Sequence, residues 1–214
     1  GINQIQVNPK TNLTFAKGLR SILRQDPDII MVGEIRDEET ADIAVNAAMT
    51  GHLVLSTIHA NNSATVLPRL IDMKVQSFLV ASSINIIISQ RLVRRICRRC
   101  IYSVELNKKE LDAISRFIPV RDLLKKPNLK KLRTYRGHGC SICGHSGYTG
   151  RVGIYEIMLM DEEMRRAVIE EKSASVIEAL ARKRGMTTML EDGVDKVIQG
   201  VTTVEEVLRV MADA

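Results

Sequence analysis

A short apolar run at residues 29–32 most constrains the fold that this chain can adopt. The run is continuous rather than alternating, which is typical of a parallel strand covered by helices on both faces. It ends in Gly33 and Glu34, so Glu34 is expected just beyond the carboxyl end of the strand, where open α/β sheets bind their ligands. An acid there can hold a hydrated Mg²⁺ or orient a water for attack on a phosphate. The alternative, from this stretch alone, is a charged loop after an ordinary core strand.

A second apolar run, at residues 52–58, predicts a second buried strand. The segment between the two runs, residues 38–49, predicts a helix capped by Asp37, with acids in its first turn and an alanine-rich body that packs closely on a sheet. Strand, helix and strand within about thirty residues form a βαβ unit. The carboxyl ends of both strands then lie at one edge of the sheet.

Two histidines mark the ends of the second predicted strand. His59 follows it and is expected on the same side of the sheet as Glu34, whereas His52 precedes it and is expected towards the opposite edge. An imidazole near a terminal phosphate could report whether that phosphate is present. The alternative for a single histidine at a strand end is a structural role.

Helices account for most of the remaining pattern. They are predicted at residues 13–25, 63–73 and 76–90, the last almost wholly apolar and therefore buried. After Gly150 the sequence predicts one strand at residues 152–157 and four helices at residues 161–171, 175–183, 188–199 and 203–212. Three of these helices begin with an S/T-x-x-E capping box: Ser175 with Glu178, Thr188 with Glu191, and Thr203 with Glu206.

All four cysteines fall into two C-x-x-C pairs, Cys97 with Cys100 and Cys140 with Cys143. Each pair can form a tight knuckle and two pairs complete a tetrahedron, which indicates a structural four-thiolate zinc site. Disulfides are the alternative, disfavoured in a reducing cytosol. A thioredoxin-like redox motif is a weaker alternative, because neither pair follows a strand and opens a helix.

Basic residues are concentrated around and between the cysteine pairs. Five arginines surround the first pair: Arg91, Arg94, Arg95, Arg98 and Arg99. They could form a patch for phosphate or lipid headgroups, or they could lower thiolate pKa values and balance the charge of the zinc centre. We favour the structural role, because only one face of a short turn is available and no aromatics interleave. A solvated loop is predicted around Lys125, Lys126, Lys130 and Lys131.

Composition limits the partners and the compartment. No apolar run among the 214 residues approaches the ~18 needed to span a bilayer, and the start lacks a signal-peptide pattern, so a cytosolic protein is expected. The chain begins without Met, which suggests a piece of a longer polypeptide. The net charge of +6 suggests binding to nucleic acid. However, the chain has no Trp, four Tyr and three Phe, and so lacks the aromatic side chains on which the bases of single-stranded nucleic acid stack. Mild basicity suits an anionic ligand or membrane surface equally well.

Three strings of the sequence are distinctive: LRQDPDIIMVGEIRDEETA at residues 23–41, TGHLVLSTIH at residues 50–59 and QRLVRRIC at residues 90–97. They resemble the secretion ATPases, and more closely the type II secretion and type IV pilus assembly motors. The tail is similar too, at residues 150–156 and 185–193. The resemblance covers essentially the whole chain and is highly specific.

The resemblance implies roles for individual residues. Residues 29–37 match the Walker B segment, with Glu34 as its acid near Mg²⁺, and residues 51–59 match the histidine box, with His59 near the γ-phosphate. Glu34, His59 and Arg36 are assigned to nucleotide binding, and the first two to catalysis. The four cysteines match a zinc subdomain that assembly motors have and retraction motors lack. One departure is Ala60, where the family commonly has Thr.

The implied fold is α/β: a partial RecA-like parallel sheet, corresponding to the C-terminal half of a P-loop NTPase core, with a tetracysteine zinc subdomain and a C-terminal helical region. These parts are expected at residues 1–95, 96–150 and 151–214. The chain contains no G-x-x-x-x-G-K-[ST] loop, and the acidic box of the family is also missing. We therefore expect the C-terminal part of the motor, inactive by itself.

The implied function is that of a hexameric motor ATPase which couples ATP hydrolysis to pilin or pseudopilin assembly. Its cofactors would be Zn in this chain and, in the full-length protein, ATP and Mg²⁺. Its partners would be further copies of itself and an inner-membrane platform or adaptor protein, with the protein cytoplasmic and peripheral at the inner membrane and with no nucleic acid bound.

Two alternatives from other classes stay open. One is a catalytically inactive zinc-containing interaction module that docks a membrane partner. The other is a DNA-uptake or translocation ATPase of related fold, which a strongly salt-dependent affinity for DNA would support.

Overall fold

The computed structural model describes residues 2–105 and 133–212. The chain divides into two compact units, the first comprising Gly1–Ile87 and Met158–Gly185 and the second Ile88–Ile157 and Met186–Ala214. The predicted solvated loop with its four lysines lies outside the described residues. The division into three consecutive segments stays a prediction.

The first unit holds a small parallel sheet and six helices among its described residues. The strands are β1 (Ile29–Val32) and β2 (Leu53–Ser56), and the helices are α1 (Phe15–Ile22), α2 (Glu38–Met49), α3 (Ser63–Asp72), α4 (Ser77–Ser83), α5 (Glu162–Ile169) and α6 (Ala174–Lys183). The predicted helix at residues 13–25 is therefore α1 followed by a 3₁₀ turn, Leu23–Gln25. The bounds predicted for α2 are confirmed, and Asp37 caps it by accepting a hydrogen bond of 2.8 Å from the Thr40 amide.

The predicted βαβ unit is confirmed, because β1 and β2 pair in parallel with Val32 opposite Ser56. Its core comprises Ala16, Leu19, Ile30, Val32, Ile43, Ala44 and Ala47. The prediction that both strands are buried on both faces is wrong within the described residues. Ile29 and Met31 of β1, and Leu53 and Leu55 of β2, are at least half exposed, because the packed helices α1 and α2 cover only the opposite face.

The predicted helix at residues 76–90 is also wrong in its second half. Helix α4 ends at Ser83, and a long strand, β3 (Ile86–Ile96), follows. Three consecutive isoleucines begin this strand, and β-branched side chains favour the extended chain over the helix. The run is not buried throughout, because Ile86 and Ile88 are about half exposed on either side of the buried Ile87.

The second unit combines two strand pairs with the last two helices. Besides most of β3, its elements are β4 (Ile101–Glu105), β5 (Arg133–Gly137), all but the last two residues of β6 (Tyr148–Leu159), α7 (Met189–Ile198) and α8 (Val204–Ala212). β3 pairs with β6, and β4 pairs with β5 in antiparallel register. β6 contains the strand that the sequence predicts at residues 152–157. Val93, Ile154, Met189 and Val210 form a buried cluster between these strands and helices.

The three predicted capping boxes have three different outcomes. The box of Thr188 and Glu191 is confirmed by reciprocal hydrogen bonds at the start of α7. The box at Ser175 is wrong, since α6 begins one residue earlier and the Ser175 hydroxyl is hydrogen bonded to that of Ser173. The third box forms by half: Thr203 accepts from the Glu206 amide at 3.4 Å, but the Glu206 carboxylate binds elsewhere.

Glu206 is a buried carboxylate, 2% exposed, that joins α8 to β3. It accepts hydrogen bonds from the Arg94 amide at 2.9 Å, from the Arg94 guanidinium at 2.7 Å and from Arg209 at 2.9 Å. Burial raises its pKa, but the donors from Arg209 and Arg94 outweigh burial and lower the pKa to about 2. Glu206 is therefore ionised at neutral pH, and its buried charge would be costly without these hydrogen-bond donors.

Helices α7 and α8 pack closely at a glycine. A Cβ atom added at Gly193 would lie 2.7 Å from a methyl group of Val207, so the backbone of α7 approaches that side chain more closely than an alanine allows. Around this point lie the buried residues Leu190, Val194, Val197, Val204 and Val207.

Within residues 2–105 and 133–212, no helix is long and apolar enough to cross a bilayer.

We predict that Gly193→Ala lowers the free energy of unfolding by about 1 kcal/mol, because overpacking outweighs the helix propensity gained. The matched control is Gly18→Ala in α1, where the added methyl meets only an Ile5 methyl at 3.9 Å. This control should be neutral or slightly stabilising. Urea unfolding followed by circular dichroism makes the comparison, and a G193A variant as stable as G18A would contradict the close packing.

Candidate functional site

The loops that follow β1 and β2 are held together beyond the ends of the strands. The Ile35 amide donates to the Thr57 carbonyl at 2.9 Å, and the Thr57 hydroxyl donates to the Gly33 carbonyl at 2.7 Å. These two hydrogen bonds continue the parallel pairing past the last ladder residues. The side chains that follow each strand are therefore placed by backbone contacts.

Glu34, His59 and Arg36 meet at this carboxyl edge. The His59 Nε2 atom lies 3.2 Å from Glu34 Oε2, and the Arg36 Nε atom donates to the same oxygen at 2.7 Å. Glu34 is the least exposed of the three side chains, at 22%, while Arg36 and His59 are largely exposed. The predicted juxtaposition of Glu34 and His59 is thus found, and their catalytic roles stay predictions.

The charge of this cluster follows from its hydrogen bonds. The Arg36 guanidinium, with a smaller contribution from His59, outweighs burial and holds the pKa of Glu34 below its usual value. Glu34 is therefore a carboxylate at neutral pH, a suitable ligand for a hydrated Mg²⁺. The guanidinium and the imidazole beside it are donors that suit phosphate oxygens.

His59 lies in a loop that is anchored on both sides. Thr57 binds the β1 loop before it, and after it Asn62 caps α3 by accepting a hydrogen bond of 3.0 Å from the Thr65 amide. The Asn62 amide donates in return to the Thr65 hydroxyl at 3.3 Å. The loop is therefore fixed at Thr57 and again at Asn62, and His59 lies between these points.

His52 lies at the opposite end of β2, as predicted. Its Nδ1 atom lies 2.9 Å from the Ala47 carbonyl and 3.1 Å from the Thr50 hydroxyl, and both partners belong to the last turn of α2 or follow it directly. A polar side chain that binds the last carbonyls of a helix serves as a C-terminal cap. His52 therefore has a structural role, away from Glu34.

The four cysteines converge into one cluster in the second unit. Their Sγ atoms all lie within 4.8 Å of one another, and all four are free thiols. The Sγ atoms of Cys97 and Cys140 are 3.9 Å apart, as are those of Cys100 and Cys143, and those of Cys140 and Cys143 are 3.7 Å apart. A tetrahedral zinc with Zn–S bonds of about 2.3 Å places its sulfurs about 3.8 Å apart. The donor set and its spacing therefore fit a four-thiolate zinc ion.

Backbone hydrogen bonds and burial give the thiols of the cluster different pKa values. The amides of Cys140 and Gly147 donate to the Cys143 sulfur at 3.1 and 3.3 Å, and they lower the pKa of Cys143 to about 6. Burial raises the pKa of Cys100 to about 11. A bound dication would ionise all four thiols, because a coordinating thiol loses its proton outright.

Two glycines allow the chain to fold tightly around the cluster. A Cβ atom at Gly137, the end of β5, would lie 2.2 Å from the Gly147 carbonyl oxygen, and Gly147 itself has φ of +78°. No other residue type fits this crossing of backbones. Sequence reasoning passed over this pair, although the glycine-rich spacing around Cys140 and Cys143 was a signal for it.

The arginines near the first cysteine pair do not act as one group. Arg94 binds Glu206, and its guanidinium lies 4.3 Å from the centre of the Tyr148 ring. Arg98 and Arg99, within the first knuckle, are exposed. The predicted electrostatic role of the arginine run stays a prediction.

The sequence is similar to that of known secretion and pilus proteins. The sequence model of the type II/IV secretion system protein family matches residues 1–209. The type IV pilus assembly ATPase PilB of Thermus thermophilus is 48% identical over 208 residues, which are 97% of this chain and 22% of that protein. The type II secretion system ATPase E of Vibrio cholerae is 44% identical over 214 residues, which are 100% of this chain and 40% of that protein.

Solved structures show the same α/β fold. The pilus retraction motor PilT with bound ADP matches with a TM-score of 0.59 at 26% identity, over 92% of this chain and 43% of that one. The ATPase DotB of Legionella pneumophila matches with a TM-score of 0.60 at 24% identity, over 96% of this chain and 44% of that one. At that identity the likeness to DotB concerns the fold alone.

The chain spans 22% of the length of the PilB relative and 40% of the secretion ATPase. The range matched by the family model, residues 1–209, includes both the Glu34–His59 edge and the four cysteines. The chain therefore belongs to the type II/IV secretion system protein family.

Proposed function

We propose that this chain is the C-terminal part of a motor ATPase that couples ATP hydrolysis to the assembly of pilins or pseudopilins. The observation that carries the proposal is the cluster of Glu34, His59 and Arg36 at the carboxyl edge of a parallel strand pair. Relatives named as type IV pilus assembly and type II secretion ATPases support the reaction and the two machines concerned.

Each side chain of the cluster has a distinct role in this proposal. Glu34 would hold the hydration shell of Mg²⁺ through its carboxylate, and His59 would contact the γ-phosphate. Arg36 would leave Glu34 when the nucleotide binds and would bind a phosphate oxygen instead, since a guanidinium suits either partner. Mg²⁺ held there would neutralise charge on the phosphates.

For the whole protein we propose a homo-hexamer that is cytoplasmic and works at the inner membrane with a platform or adaptor protein. The names of the relatives, a type IV pilus assembly ATPase and a type II secretion system ATPase, support a role in pilus assembly or protein secretion. In this proposal residues 1–95 belong to the partial RecA-like core, residues 96–150 to the zinc subdomain and residues 151–214 to the C-terminal helical region. The four cysteines favour an assembly motor over a retraction motor.

We propose Zn²⁺ as the resident ion of the four-cysteine cluster. Among the described residues, four sulfur atoms supply the complete ligand set of a tetrahedral ion and a backbone N–H group donates to one of them, which are features of a structural zinc site. Its ion would hold the knuckles of the second unit together.

The first functional prediction concerns the two ends of β2 in the full-length protein. Glu34→Gln and His59→Gln should each lower kcat for ATP, Glu34→Gln by about 100-fold, because positioning and charge supply most of the catalysis in phosphoryl transfer. The matched control is His52→Gln, a histidine at the opposite end of the same strand, which should leave kcat unchanged. Phosphate release at saturating ATP is the measurement.

An H52Q variant as impaired as H59Q would show that the assignment of the edge is mistaken. The 214-residue chain alone should release no phosphate above its E34Q counterpart, since its sequence contains no G-x-x-x-x-G-K-[ST] loop. Turnover of the chain alone that E34Q abolishes would mean that a complete site lies within it, and the proposal of a partial core would then be withdrawn.

The second functional prediction concerns the metal. Purified chain should hold about one zinc per molecule by elemental analysis, and Cys143→Ser should lower that content strongly. Ser141→Ala is the matched control, because Ser141 lies in the same knuckle without offering a ligand. A folded chain with little zinc and four readily titrating thiols would overturn the zinc assignment.

A further inference from the structure

Three chain segments leave the four-cysteine cluster, and all three reach one short stretch of the second unit. β3 runs directly into Cys97, β5 leads to Cys140 through two residues, and β6 begins shortly after Cys143. The stretch that they reach, residues 200–206, joins α7 to the first turn of α8. We call it the latch segment.

β3 makes the first set of contacts with the latch segment. The Ile96 amide donates to the Val201 carbonyl at 2.9 Å, and the Thr202 hydroxyl donates to the Arg94 carbonyl at 2.8 Å. The Arg94 amide and guanidinium both bind Glu206. The backbone within three residues of Cys97 is therefore bonded to the latch segment at three points.

β5 makes the second set. The ring of Tyr135 covers Gly200, where a Cβ atom would lie 2.8 Å from the ring and where φ is +73°. One residue further, Arg136 forms an ion pair of 2.8 Å with Glu205. Both residues lie within five positions of Cys140, so displacement of β5 would uncover the start of the latch segment and break the ion pair.

β6 makes the third set through its first residue. The Tyr148 hydroxyl lies 3.0 Å from the Thr203 hydroxyl, and its ring supports the Arg94 guanidinium. Immediately before Tyr148, the Gly147 carbonyl accepts a hydrogen bond of 2.9 Å from the Cys97 amide. Tyr148 is thus linked to the cysteine cluster on one side and to the latch segment on the other.

The latch segment depends on these contacts because it buries polar groups. Thr202, Thr203 and Glu206 are all less than 5% exposed. A buried hydroxyl or carboxylate that loses its partners is costly, and the carboxylate most of all. Movement of the three strands therefore favours exposure of this segment to water.

The rest of α8 is held differently. Val207 packs in the apolar cluster with α7, and Val210 packs against Val93 and Ile154. These are apolar contacts made away from the knuckles. Loosening of the strands near the cysteines should therefore release the latch segment and leave the end of α8 in place.

We propose that metal loading of the four-cysteine cluster controls the docking of the latch segment, and with it the first turn of α8. This inference rests on the zinc site of the proposed function. Four metal–sulfur bonds fix β3, β5 and β6 relative to one another, whereas four thiols in van der Waals contact do not. Metal binding at the cysteines thereby orders the latch segment, which begins more than fifty residues after the last cysteine in sequence.

Hydrogen exchange of the zinc-loaded chain, before and after chelation, tests the coupling. Chelation should speed exchange of the Glu206 amide, whose acceptor is the Thr203 hydroxyl, and of peptides covering residues 200–206, by about 10-fold. Peptides covering residues 207–212 and α6 should change little, and added zinc should restore protection. Loss of metal with unchanged exchange at residues 200–206 would overturn the proposal.

Glu206→Gln tests the same coupling from the other end. Because coupling is reciprocal, a variant that weakens the latch should also weaken zinc binding, by about 10-fold in a chelator competition. Glu205→Gln is the matched comparison: the ion pair of Glu205 with Arg136 also joins the latch segment to β5, but it lies at the surface and contributes little, so its effect should be clearly smaller than that of Glu206→Gln. Zinc affinity equal in E206Q and E205Q would contradict the coupling.

Failure of the zinc assignment and failure of the coupling give different experimental results. A folded chain that binds no zinc overturns both the zinc assignment and the coupling. A chain that binds zinc but keeps its latch segment protected after chelation overturns the coupling alone. Neither measurement involves Glu34 or His59, so both are independent of the ATPase proposal.

Discussion

The parallel pairing of β1 with β2 is the interaction on which the candidate nucleotide edge depends. It brings residues 25 positions apart in sequence, Glu34 and His59, into hydrogen-bond contact. The pairing is extended by the two hydrogen bonds of the Thr57 backbone and hydroxyl, which join the loops after the strands. Because these contacts come largely from the backbone, the edge needs few particular side chains beyond Glu34, His59 and Arg36.

The second unit is stabilised by interactions of a different kind. Its cysteine cluster is small and polar, and the chain around it is held by glycines at which backbones cross, by Glu206 and its arginines and, as we propose, by a metal ion that fits the sulfur spacing. A buried ion pair of this kind contributes specificity more than net stability, because desolvation offsets much of the attraction. The proposed metal would hold the three strands that contact the latch segment, and Glu206 of that segment binds one of them, β3, which is why their effects should be coupled.

The sequence predicts local patterns well and side-chain partners poorly. β1, α2 and the carboxyl-edge position of Glu34 follow from an apolar run, a cap and the βαβ rule. The helix predicted over residues 76–90 fails because an apolar run does not distinguish a buried helix from a strand of β-branched residues. Glu206 fits a capping box locally, but its carboxylate binds Arg94, 112 positions away. Such long-range partners leave no local signal.

The most direct test of the central claim is a structure of the full-length protein with Mg²⁺ and a non-hydrolysable ATP analogue. We predict that the γ-phosphate lies within hydrogen-bond distance of His59, that a water of the Mg²⁺ shell contacts the Glu34 carboxylate, and that Arg36 has left Glu34. A nucleotide bound away from the carboxyl ends of β1 and β2, with the Glu34–Arg36 pair intact, would contradict the account.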